Sequence, residues 1–92
     1  MSEDSTLDKY LMDGNITRVK DILRGTNPKK VDHASDMVMK YLELCQGKKV
    51  VFPNGEIVEH PRDYVDSLQG GYGLGPLTAM LIVNSIKIPR RF

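Results

Sequence analysis

The 92-residue chain has no tryptophan, a single cysteine and a net charge of only +1. One thiol cannot close an intramolecular disulfide, so a disulfide-stapled secreted scaffold is excluded. Thirteen Lys+Arg against 12 Asp+Glu supply no global field to draw the chain to nucleic acid or an anionic membrane. The N-terminus, Met1-Ser2-Glu3-Asp4-Ser5-Thr6, lacks the basic and apolar regions of a secretory signal and the arginines of a transit peptide, so a cytoplasmic location is expected. Long hydrophobic runs are missing too. The longest uncharged stretch, Ser67 to Ile86, is interrupted by Gln69, four glycines, Pro76 and Asn84, whereas a bilayer span needs about 20 predominantly apolar residues.

What is present is a globular composition, 40% hydrophobic and 27% charged, in a chain with room for one compact domain over residues 1–92. Surface scaling gives about 64% burial on folding, enough for one core with little surplus. Charge alternates in blocks: acidic over residues 1–15, basic over 16–31, acidic over 32–47, basic at Lys48-Lys49, acidic over 56–66 and basic from Lys87 onward. Such blocks suit a solvated mosaic surface, or complement one another within a homo-oligomer.

Ser5-Thr6-Leu7-Asp8 has the form of a capping box, followed by Leu7, Tyr10 and Leu11 on one helical stripe. Asp13-Gly14-Asn15 is expected to end this first helix. Asn15 then caps a second, in which Ile16, Val19, Ile22 and Leu23 repeat at helical spacing up to Gly25. Asn27-Pro28 reads as an N-cap with proline at the first helical position. Val31, Ala34, Val38, Tyr41, Leu42 and Cys45 follow in steps of three and four, which predicts one long third helix ending near Gly47.

Beyond Gly47 the period changes. Val50-Val51-Phe52 and Ile57-Val58 flank Pro53-Asn54-Gly55, where proline suits the second position of a type I turn and glycine the left-handed residue after it. This register sets Lys49 opposite Glu59, with Val51 and Ile57 on one face and Val50 and Val58 on the other. Neither face is polar, so the hairpin is expected to be covered on more than one side. His60-Pro61 opens a fourth helix, with Tyr64, Val65 and Leu68 as its apolar stripe, ending at Gly70. After Gly70-Gly71-Tyr72-Gly73-Leu74-Gly75, Pro76 opens a fifth, apolar on every side from Leu77 to Ile86. The expected fold class is α+β and mainly α-helical, with about five helices and one β-hairpin between the third and fourth.

No paired acid and base, activated nucleophile or phosphate loop is present, so no enzyme and no cofactor are expected. Cys45 reads as an ordinary buried thiol. His33 and Asp36 offer two ligands where a metal site needs three or four. Gly71-x-Gly73-x-x-Pro76 fails the dinucleotide fingerprint, and no Gly-Lys-Ser/Thr follows. A small-ligand loop made by Gly71, Tyr72, Gly73 and Gly75 before a helix N-terminus remains an alternative.

Arg18, Lys20, Arg24, Lys29, Lys30, Arg90 and Arg91 are candidate anion or nucleic-acid contacts. The order helix, helix, longer helix, hairpin parallels a winged-helix reader. Against that, the outward face of the third helix carries Asp32, His33, Asp36, Met39, Lys40 and Glu43, more acidic than basic, and phosphate contacts need cations. The favoured expectation is a protein-interaction module. It would act as a regulator, inhibitor or assembly factor docking on a larger protein, itself a homo-oligomer, through Leu77, Met80, Leu81, Val83 and Ile86.

Overall fold

The computed structural model describes the backbone of residues 2–87 and the side chains of residues 11–87. Among these residues lie four α-helices and one antiparallel hairpin: α1 (Ser2–Thr26), α2 (Ala34–Cys45), β1 (Val50–Val51), β2 (Ile57–Val58), α3 (Tyr64–Tyr72) and α4 (Pro76–Ser85). Short 3-10 turns at Pro28–His33 and Pro61–Asp63 lead into α2 and α3. The chain is mainly helical, as its periodicity requires, with four α-helices where five were expected. The side chains of Leu7 and Tyr10, and the arginines Arg90 and Arg91, lie outside the described residues.

The first difference is at Asp13-Gly14-Asn15, which α1 crosses without a break. A helical glycine costs about 1 kcal/mol. Ending the helix there would orphan four carbonyls and opening the next would orphan four N–H groups, a larger penalty. Ser5 is accordingly inside the helix rather than at its cap. Asn15 does not cap anything. Its side chain is fully buried, with Nδ2 donating to the Lys87 carbonyl at 2.7 Å and Oδ1 accepting from the Lys87 N–H at 2.9 Å. One side-chain amide thus pairs with one backbone amide 72 residues away.

The second difference is in the expected third helix, whose first six residues, Pro28–His33, wind as 3-10 helix. That helix turns in about 3.0 residues rather than 3.6, which rotates the stripe that follows. Ala34, Met37, Val38 and Leu44 are the buried positions of α2, and Cys45 is carried out to the surface. The buried thiol expected from the sequence is therefore an exposed one.

The hairpin follows its predicted register, Val50 opposite Val58 and Val51 opposite Ile57. Phe52 N–H donates to the Glu56 carbonyl at 2.9 Å and Gly55 N–H to the Phe52 carbonyl at 2.8 Å. Asn54 Oδ1 accepts from Glu56 N–H at 3.1 Å, and Lys49 Nζ lies 3.8 Å from the Glu59 carboxylate. Only one face is covered: Val50 and Val58 are buried, while Val51 and Ile57 are 60% and 62% exposed.

Phe52 carries the hairpin into the core. Its ring is 6.1 Å from that of Tyr64 and 5.6 Å from that of Tyr72, both edge-on. Tyr64 in turn packs 4.7 Å from Tyr41 and donates its hydroxyl to the Met37 carbonyl. The close approach to α3 requires Gly71, because a Cβ there would sit 2.8 Å from Phe52 Cδ2. α3 therefore runs through Gly70 and Gly71 to Tyr72, and Gly73, at φ 70°, turns the chain toward α4. α4 packs against α1 and α3.

Replacing Asn15 by alanine removes two buried hydrogen bonds and leaves the Lys87 amide unsatisfied, offset in part by alanine's better helix propensity. A net loss of about 2 kcal/mol is expected, read in a circular-dichroism melt as a fall of roughly 10 °C for a domain of this size. A melting temperature unchanged within about 2 °C would mean that the pairing contributes little to the native state.

Candidate functional site

α4 begins where Gly75 holds an extended backbone and Pro76 occupies the first turn, the position at which a missing N–H is harmless. The helix ends at Ser85, whose hydroxyl donates to the Ile82 carbonyl at 2.8 Å. Ile86 then extends, and Lys87 enters its pairing with Asn15. These two ends set the rotation of a helix whose own sequence, PLTAMLIVNS, gives no amphipathic preference.

In that setting Thr78, Ala79, Ile82 and Ile86 are buried and Val83 packs partly against the core. The opposite side presents Leu77, Met80 and Leu81, which are 73%, 47% and 42% exposed, flanked by exposed Pro76 and Asn84. Positions 77, 80, 81 and 84 are one helical stripe. Of the five residues predicted on an interface, the structure therefore brings three together on the surface and turns Val83 and Ile86 inward. No charged residue occurs anywhere in α4.

The predicted ligand loop is redistributed by the folding of α3. Gly71 is a packing contact beneath Phe52 and Tyr72 is buried, which leaves Gly73-Leu74-Gly75 as a three-residue link between helices. The basic residues are dispersed as well. Lys20 and Arg24 are one turn apart on α1, and Arg18 lies roughly 160° around the helix from Lys20. Arg24 pairs with Asp21 at 2.8 Å, Arg18 reaches Asn15 Oδ1 at 3.5 Å, and Lys29 and Lys30 sit on the 3-10 turn.

A cluster that periodicity does not reveal lies between α2 and α3. The exposed His33 ring is 5.5 Å from that of Tyr72, whose hydroxyl is buried without a hydrogen-bond partner, as is the Ser67 hydroxyl. Burial, and then the nearby Asp36 carboxylate, push the Tyr72 phenol up to about 12. Burial pushes the Tyr64 phenol up further in the same direction. Partial burial also raises the Cys45 thiol, against the lowering effect of its bond with the Tyr41 hydroxyl, so nothing in its surroundings activates it as a nucleophile. No group of three or more potential metal ligands occurs among the described residues, and none of their helices is long and apolar enough to cross a membrane.

The chain matches no protein-family model, no curated protein and no solved structure.

Tyr72 gives the site region a pH signature. A phenol whose folded pKa is raised binds its proton more tightly in the native state, so its stabilisation is complete below about pH 10 and is lost as pH climbs toward about 12. Ultraviolet titration of the tyrosines should show a component near 12 that Tyr72→Phe abolishes. Full ionisation of every phenol near 10 in protein still folded by circular dichroism would contradict this environment.

Proposed function

We propose that the protein is a non-catalytic protein-interaction module, a small regulator, inhibitor or assembly factor that works by docking through the outer face of α4. The observation that carries this reading is the exposure of Leu77, Met80 and Leu81 side by side on a helix whose inner face is already committed to the core. Singly exposed apolar residues are ordinary, but an adjacent set on one rigid helix is the composition of an interface core, where charge is depleted and methionine is enriched. Covering such a set releases water at about 25 cal/mol per Å² of apolar surface. The face is rigid, because both ends of α4 are held, so docking requires little ordering of the chain.

The dispersal of Arg18, Lys20, Arg24, Lys29 and Lys30 supports this reading over nucleic-acid binding, and so does the acidic exposed side of α2 around Asp32 and Asp36. Met39, also exposed on α2, stands among these charges rather than in an apolar patch.

Leu77→Glu/Leu81→Glu places two carboxylates on the face without touching the core, so the fold should melt within a few degrees of the wild type. Tagged wild type and double variant, used in parallel as baits, should then differ: stoichiometric protein partners held by the first are lost from the second. An identical partner set on both would remove α4 from the function.

A further inference from the structure

We infer that, in the free protein, the outer face of α4 is occupied by α4 of a second copy of this chain, the two helices packing antiparallel across a two-fold axis near Met80. The inference rests on reading that face as a docking surface, and it names the occupant. Charge selects it. A surface with no charge accepts only a surface that also buries none, since an unpaired charge carried into an apolar contact loses its hydration without compensation.

Among the described residues the other candidate faces fail this condition. α1 exposes Asp13, Arg18, Asp21 and Arg24, α2 exposes Asp36, and α3 exposes Asp66. The apolar pair Val51 and Ile57 is bordered by the exposed Lys49 and Glu59. The stripe Leu77, Met80, Leu81 and Asn84 is matched in this molecule by itself.

A two-fold axis perpendicular to the helix makes the contact isologous, so every interaction occurs twice. Leu77 of each copy then packs toward Leu81 of the other, and the two Met80 side chains, unbranched and adaptable, fill the space at the axis. Antiparallel packing also sets each helix N-terminus beside the partner's C-terminus, the favourable arrangement of two macrodipoles whose terminal turns carry no compensating charge. The patch amounts to a few hundred Å² per copy, below the roughly 800 Å² per partner of a standard interface. The dimer is correspondingly weak, with a dissociation constant on the order of 100 μM, and it can give way to a larger partner that covers more of the same face.

Sedimentation equilibrium from about 10 μM to about 1 mM brackets that range. Wild type should pass from monomer to dimer, and the folded Leu77→Glu/Leu81→Glu variant should dimerise at least tenfold more weakly. Disulfide trapping in a Cys45→Ser background locates the contact: Met80→Cys should cross-link on mild oxidation at least tenfold faster than Asp36→Cys on α2. A wild type monomeric throughout, a dimer indifferent to the double substitution, or equal cross-linking at the two positions overturns the inference. The docking function fails separately, on bait partners retained by the double variant, so the two outcomes are distinguishable.

Discussion

The pairing of the Asn15 side chain with the Lys87 backbone is the constraint on which the placement of α4 depends. A buried carboxamide must satisfy both its donor and its acceptor, and an extended peptide unit presents one of each at matching separation. Because Asn15 stands in the middle of a helix, its position is rigid, and the chain leaving α4 is brought to a defined point beside α1. Ile86 and Ile82 are thereby turned toward the core, and Leu77, Met80 and Leu81 are turned away from it. A helix with no preferred face of its own acquires one from a polar contact beyond its end.

A second constraint shapes the other half of the molecule. Phe52 enters between Tyr64 and Tyr72 because Gly71 leaves room for its ring, and Tyr41, Tyr64, Phe52, Tyr72 and His33 form a continuous aromatic series from α2 through the hairpin to α3. Edge-on and tilted aromatic pairs add about 0.5–1.5 kcal/mol each beyond burial. A two-stranded hairpin is marginal in water by itself. Here it is held by one side chain inserted between helices, which is why its outer face can remain open to solvent.

Local chemistry was legible in the sequence; rotation and long-range polar contacts were not. Pro53-Asn54-Gly55 specified its turn, the turn specified the register, and the register placed Lys49 opposite Glu59. Pro28, Pro61 and Pro76 each stand at the start of a helical segment, as their fixed φ and missing N–H dictate. Gly14 misled because a glycine signals a break only when tertiary packing does not carry the helix across it. Cys45 misled because a stripe counted at 3.6 residues per turn loses phase over six residues of 3-10 helix. The Gly70–Gly75 segment was permissive in composition, but Gly71 serves close packing rather than a ligand. On α4, the sequence identified the apolar residues and not the division between them, because only Asn15, 60 or more residues earlier, decides which side is covered.

The proposed function and the proposed dimer both follow from that division, and adjacent residues test it. Leu81 is 42% exposed and Ile82 is fully buried, so a single-position step along α4 crosses from the docking face to the core. Equilibrium melts of Leu81→Glu and Ile82→Glu measure it directly. Leu81→Glu should melt cooperatively within a few degrees of the wild type, whereas Ile82→Glu, which buries a carboxylate without a partner, should lose several kcal/mol and leave little folded protein. Equal destabilisation by both, or a folded Ile82→Glu beside an unfolded Leu81→Glu, would contradict the orientation of α4 and with it the docking face.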